Sequence, residues 1–148
     1  MSLRKSAAAL VDAALARVET IEAGDALGLV DREDVVLVDL RDIRERVREG
    51  FVPGSVHAPR GMLEFWVDPE SPYHREIFAE DRRFVFYCAG GWRSALAAET
   101  VLDMGLAKVA HIGGGFTAWM AAGGPVLKTG DGREPKPAGG PELNPAGA

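Results

Sequence analysis

Two short stretches constrain this chain more than anything else in it. Val35-Val36-Leu37-Val38 and Phe84-Val85-Phe86-Tyr87 are unbroken runs of β-branched, aliphatic and aromatic side chains. A strand with one wet face alternates apolar and polar residues, so runs of this kind belong to strands covered on both sides. Each run stops at a residue able to do chemistry, Asp39 after the first and Cys88 after the second. Lys108–Ile112 predicts a third strand and leads into Gly113-Gly114-Gly115. Shorter strands are expected at Thr20–Ile21 and Val56–Ala58.

The segments between them read as helices. Leu3, Ala7, Leu10, Val11, Ala14, Leu15 and Val18 recur at helical spacing and predict an amphipathic N-terminal helix. Asp42–Glu49 alternates charge signs and predicts a solvated helix in which Arg44, Arg46 and Arg48 face water. Ala95–Met104 predicts a helix stopped by Gly105, and Phe116–Ala122 predicts another. Smaller helices are expected near Ala23–Val30 and Gly61–Val67. Strands alternating with helices define the α/β class, a parallel sheet with helices on both faces.

At 148 residues the chain has the length of one domain. The expected organisation is an N-terminal helix over 1–19, the α/β domain over 20–127 and a tail over 128–148 in which nine of 21 residues are Gly or Pro. Such a tail buries too little to order itself unless it packs on the domain or a neighbour. The longest apolar run, Phe84–Ala89, falls far short of the ~20 residues of a membrane span, so no membrane association is expected. Arg4, Lys5 and the apolar stretch from Ala7 imitate an export signal, but Asp12 cuts the stretch short and it reads as helix. With 22 acidic against 17 basic side chains the net charge is -5, which argues against nucleic acid as a partner. Cys88 is the single cysteine: an intrachain disulfide and multi-cysteine zinc sites are ruled out, and a reduced, cytoplasmic setting suits it. His57, His74 and His111 lack metal-ligand spacing, so no metal is expected.

The informative segment is Cys88-Ala89-Gly90-Gly91-Trp92-Arg93-Ser94, set between a buried strand and a helix. Ligands of open α/β sheets bind beyond the carboxyl ends of the strands, where Cys88 lies. Gly90 and Gly91 let the backbone curl so that successive N–H groups turn inward. The following helix adds its own unpaired N–H groups and the positive end of its dipole. Such a ring stabilises a sulfur anion, and Arg93 places a positive charge beside it. An isolated strand-end cysteine reads more simply as packing; here the glycine pair, the arginine and the strand–loop–helix setting converge on one thiol. Four residues separate Cys88 from Arg93, one fewer than a loop encircling a tetrahedral phosphate takes. The tighter ring suits one outer sulfur bonded to the cysteine, a persulfide. The three glycines from Gly113 lack the Lys-Ser/Thr of a nucleotide loop.

Three motifs carry a family resemblance. Val38-Asp39-Leu40-Arg41 with Glu45, then Gly50-Phe51-Val52-Pro53-Gly54-Ser55 and Pro59, resembles the N-terminal motif of rhodanese-like domains. Cys88–Arg93 resembles their active-site loop, and His111-Ile112-Gly113-Gly114-Gly115-Phe116 with Trp119 resembles their C-terminal motif. The resemblance implies a mostly parallel five-stranded sheet and a two-step sulfurtransferase with no cofactor. It implies that Cys88 is the nucleophile and persulfide carrier, and that Ala89, Gly90, Gly91, Trp92, Arg93 and Ser94 bind the sulfur. The implied partners are a small donor such as thiosulfate or a persulfide, and a cyanide, thiol or protein acceptor. Asp39 and Arg41, at the same sheet edge as Cys88, read as support for the loop; the plainer alternative is an ordinary ion pair.

Two positions depart from that pattern. The family usually has His where this chain has Phe51, and thiosulfate enzymes carry more positive charge beside the cysteine, where this chain has Ala89. Slow turnover of thiosulfate, or preference for a persulfide donor, is the expectation. Two rival readings are a thiolate phosphatase or arsenate reductase, and a non-catalytic module that binds a partner through Trp92. Trp92 itself reads as an entrance wall, a partner contact or local packing. His111 reads as a structural hydrogen-bonding group, and Phe84, Phe86, Phe116 and Trp119 as core.

Overall fold

The computed structural model describes residues 1–135. Both apolar runs are strands, as their burial pattern requires: β2 (Val35–Asp39) and β4 (Arg83–Tyr87) lie side by side at the centre of the sheet. β1 (Glu19–Ile21), β3 (Val56–His57) and β5 (Val109–Ile112) complete five strands in the order β1-β5-β4-β2-β3, every pairing parallel. The strand alternation sends Val36, Val38, Phe84 and Phe86 to one face and Val35, Leu37, Val85 and Tyr87 to the other. The first face packs on Leu63, Trp66 and Val67 of α4 (Leu63–Val67) and on Ala97, Ala98 and Val101 of α5 (Trp92–Met104). The second packs on Ala23 and Ala26 of α2 (Ala23–Ala26) and on Phe116 and Trp119 of α6 (Gly115–Ala121).

Outside these layers, α1 (Ala7–Leu15) rests Val11 and Ala14 on Ala95 of α5. It begins at Ala7 because the Ser6 hydroxyl accepts the Ala9 N–H at 3.0 Å and caps it there. Leu3 therefore lies outside the helix, and Leu3, Leu10 and Leu15 are exposed, which the apolar periodicity alone does not indicate. The helix expected over Ala23–Val30 splits into α2 and a tighter turn at Leu27–Leu29. Helix α3 (Ile43–Glu49) starts at a reciprocal cap between Asp42 and Glu45. Among the described residues no helix is long and apolar enough to cross a membrane.

Of the Gly/Pro-rich tail, residues 128–135 are described and 136–148 lie outside the described residues. Just before the tail, Leu127 and Phe51 exchange backbone hydrogen bonds of 2.9 Å. Gly132 then tucks its carbonyl against Arg46 at 2.7 Å, and Glu134 accepts the Gly54 N–H at 2.7 Å.

The N-terminus of α6 is where the fold touches the cysteine loop. The Phe116 and Thr117 N–H groups donate to the Cys88 and Ala89 carbonyls at 2.8 and 3.1 Å. Gly115 (φ +58) makes that approach feasible, since a Cβ there would lie 2.5 Å from the Cys88 carbonyl oxygen and 2.7 Å from the Ala89 carbonyl. Both obstacles are backbone and cannot swing aside. Gly115→Ala is therefore expected to cost roughly 2–4 kcal/mol of stability, measured by urea unfolding. Ala at Gly28, where a Cβ would meet nothing within 4 Å, is the neutral comparison.

Candidate active site

Cys88 follows directly on β4, beside the end of β2, where Tyr87 stands opposite Asp39 in register. Its side chain is buried. Gly91 turns the chain back at φ 110°, a conformation that favours glycine, and its N–H donates to Cys88 Sγ at 3.1 Å. This turn lets α5 begin at Trp92, three residues earlier than the Ala95 start expected from sequence. Trp92, Arg93 and Ser94 thus form the first turn of α5, whose amides have no acceptor within the helix. Among the described residues, no protein acceptor takes the N–H of Ala89, Gly90, Trp92, Arg93 or Ser94. The six-residue segment after the sulfur is a dense cluster of donors at the positive end of a helix dipole.

On the inner side of the loop, Ser94 links the sulfur to the neighbouring strand. The Cys88 thiol donates toward Ser94 Oγ at 3.6 Å, and the Ser94 hydroxyl donates to the Gly91 carbonyl at 3.1 Å. Ser94 Oγ also lies 2.9 Å from His111 Nδ1, and His111 Nε2 lies 2.9 Å from Thr20 Oγ1. With the serine proton on Gly91, the assignment that satisfies every group puts a proton on Nδ1 and leaves Nε2 to accept from Thr20. Burial holds His111 below the ordinary histidine value, which favours this neutral form. The sequence reading of His111 as a structural hydrogen-bonding group agrees with this placement, and the structure adds its link to the thiol through Ser94.

Arg93, expected from sequence to place a positive charge near the sulfur, has a carboxylate partner. Its guanidinium closes on Glu45, Nη1 to Oε1 at 2.8 Å and Nη2 to Oε2 at 3.1 Å. Each partner stabilises the other's charge: Arg93 holds the Glu45 carboxyl below the usual carboxylate range, and Glu45 raises Arg93. Glu45 Oε1 also accepts the Asp42 N–H at 3.2 Å, so the helix cap aims the carboxylate. Glu45, named in the sequence only as part of a motif, is thus a neighbour of the loop.

Asp39 and Arg41 are wholly buried, and among the described residues no hydrogen bond or ion pair joins them to a side chain of the loop. Arg41 bonds both Asp39 oxygens at 3.0 Å, donates to the Gly50 carbonyl at 2.7 Å and lies 4.2 Å over the Phe116 ring. The Tyr87 hydroxyl donates to Asp39 at 2.9 Å, and Arg46 Nη1 reaches the same carboxylate at 3.0 Å. The solvated-helix reading of Arg46 is therefore wrong, because Asp39, Ser55 and the Gly132 carbonyl give it partners in the interior, where it is 2% exposed. Phe51, at the position where His is usual in the resembled family, is also buried and lies 3.9 Å beneath the Arg46 guanidinium. Trp92 lies on the outside of the loop, 57% exposed, while Ala89 and Gly90 form the rim.

A parallel sheet with a glycine-turned, amide-rich loop closing over a lone thiol at its carboxyl edge defines a class of cysteine-centred α/β domains. The family model described as a rhodanese-like domain matches residues 22–122. The chain belongs to that family. A sulfurtransferase of Allochromatium vinosum is 31% identical over 99 residues, covering 67% of this chain and 84% of that protein. The thiosulfate sulfurtransferase GlpE of Pseudoalteromonas translucida is 32% identical over 103 residues, covering 69% and 89%. A solved structure from Rhodopseudomonas palustris, of a protein of unknown function described as a possible tyrosine phosphatase, is 54% identical. Its TM-score is 0.83, with 86% of this chain and 98% of that one covered.

The charge cluster makes stability depend on acid. Burial alone would push the Asp39 carboxyl up, but the hydrogen bonds and charge of Arg41, with Arg46, outweigh it and hold it low. Its stabilisation is complete above the unfolded value of about 3.9 and is lost as pH falls through the lower folded value. His57 and His111 are held low chiefly by burial, so the unfolded chain takes up their protons first and stability also declines as pH drops below about 6.5. Urea midpoints across pH should show both declines. At pH 7, Asp39→Asn should lose about 3–5 kcal/mol, because the buried Arg46 guanidinium loses its carboxylate and Arg41 keeps only Glu49 at 3.4 Å.

Proposed function

We propose that this protein is a sulfurtransferase that carries sulfane sulfur on Cys88. The observation that carries the proposal is the position of Sγ: it accepts the Gly91 amide at 3.1 Å inside a loop whose other amides have no protein acceptor among the described residues. The sulfurtransferase-named relatives support the same reading at family level.

In the first step the Cys88 thiolate attacks the outer sulfur of a donor, thiosulfate or a persulfide. A new sulfur–sulfur bond forms, and the donor's own sulfur–sulfur bond breaks with its electron pair leaving on sulfite or on a thiolate. The outer sulfur keeps its oxidation state, so no external oxidant or reductant enters. In the second step cyanide, a thiol or a protein acceptor attacks that sulfur and the Cys88 thiolate returns. The amides of Ala89, Gly90, Gly91, Trp92, Arg93 and Ser94 serve as fixed dipoles that hold the charged outer sulfur. Ser94, oriented by His111 and Thr20, supplies a hydroxyl on the inner side, while Asp39 and Arg41 hold the strand ends that carry the loop. The site lies in a chain with one thiol, which suits a reducing, cytoplasmic compartment.

The phosphatase reading is favoured by the description of the Rhodopseudomonas palustris protein. Against it stand the four-residue spacing from Cys88 to Arg93 and the closure of that guanidinium on Glu45, which already balances its charge.

Incubation with thiosulfate and with glutathione persulfide, followed by intact mass, is expected to show one added sulfur on the native chain and none on Cys88→Ser. An unmodified native mass with both donors, or ready hydrolysis of an aryl phosphate, would overturn the proposal. Ser94→Ala removes the hydroxyl beside the sulfur and is expected to slow loading roughly tenfold to a hundredfold, read by quenched mass measurements.

A further inference from the structure

The loop that holds Cys88 brings one cationic side chain, Arg93, and that cation is already matched. Both guanidinium branches are spent on the two oxygens of Glu45. Arg41 and Arg46, the other cations of this sheet edge, are buried and shared around Asp39. Among the described residues, each of these three cations already has a carboxylate partner, and Ala89 adds no charge. Beside the loop, the exposed indole of Trp92 offers an apolar flank to an organic donor body.

Sulfane donors differ in what surrounds the sulfur they give up. Thiosulfate presents a compact dianion, whose desolvation needs cationic or strongly polar partners. A persulfide presents a single outer sulfur on an organic thiol and demands only the amide ring. We propose that Glu45 determines donor specificity: by holding Arg93 it disfavours thiosulfate and directs the site toward persulfides. This rests on the sulfurtransferase reading above. The favoured step is Cys88 thiolate attacking the outer sulfur of R–S–SH. The bond from that sulfur to the donor's R–S breaks, R–S leaves as thiolate with the electron pair, and the proton crosses with the sulfur now bound to Cys88, to be lost to water afterwards and leave the charged outer sulfur that the amides hold. Charge balances at one negative on each side.

Glu45→Gln separates this role from a structural one. A glutamine oxygen still accepts the Asp42 N–H, so the cap of α3 is kept while the charge is lost. The rate of sulfur addition to Cys88 is read by intact mass for three donors: thiosulfate, methanethiosulfonate, which carries one charge fewer, and glutathione persulfide. The wild type is expected to load fastest from glutathione persulfide. In Glu45→Gln the thiosulfate-to-methanethiosulfonate rate ratio is expected to rise roughly tenfold, the scale of one screened charge–charge interaction near a protein surface. Because that ratio is taken within one protein sample, partial unfolding of the variant leaves it unaltered. A ratio that stays constant or falls, or a wild type that loads faster from thiosulfate than from glutathione persulfide, overturns the specificity role and leaves sulfur transfer standing. No sulfur added by any of the three overturns both.

Discussion

Everything at the carboxyl edge of this sheet depends on one buried carboxylate. Asp39 ends β2 with no exposure to water, and Arg41, Arg46 and the Tyr87 hydroxyl all converge on its two oxygens. A lone carboxylate in that position would be expelled or protonated; two guanidinium groups let it stay charged. The cluster then reaches outward. Arg41 grips the Gly50 carbonyl, Tyr87 bonds the Val52 N–H and Ser55, and Arg46 takes the Gly132 carbonyl. The 50–55 connection, the segment around Gly132 and two strand ends are thereby fixed relative to one another.

The cysteine loop hangs from that frame at a few points. Tyr87, anchored through its hydroxyl, directly precedes Cys88. Phe116, under the Arg41 guanidinium, donates its N–H to the Cys88 carbonyl. The carbonyls of Cys88 and Ala89 are thus tied down by α6, while among the described residues the neighbouring N–H groups other than that of Gly91 have no protein acceptor. Carbonyls facing the protein and amides left for a guest is the polarity an anionic sulfur requires.

The strands were readable because burial on both faces leaves a local mark: no polar residue interrupts Val35–Val38 or Phe84–Tyr87. The cysteine loop was readable because glycines, thiol and arginine fall within six positions. What escaped was encoded across distance. Arg46 looks like a surface charge beside Glu45 and Arg48, since its buried partners are Asp39 and a carbonyl 86 residues away. Glu45 meets Arg93 across 48 residues, and Thr20 meets His111 across 91. The early start of α5 likewise turned on one left-handed glycine, whose effect on the following turn no periodicity records.

The segment shared with the family, 22–122, is smaller than the unit that holds this site together. Thr20, the last link of the hydrogen-bonded chain behind Cys88, precedes it; Leu127, Gly132 and Glu134 follow it. An excised fragment cut at those limits would strip His111 of its Thr20 hydroxyl partner and take the Gly132 carbonyl from the Arg46 guanidinium. The margins of this domain are part of its wiring, and any graft, fusion or minimal version needs both of them intact.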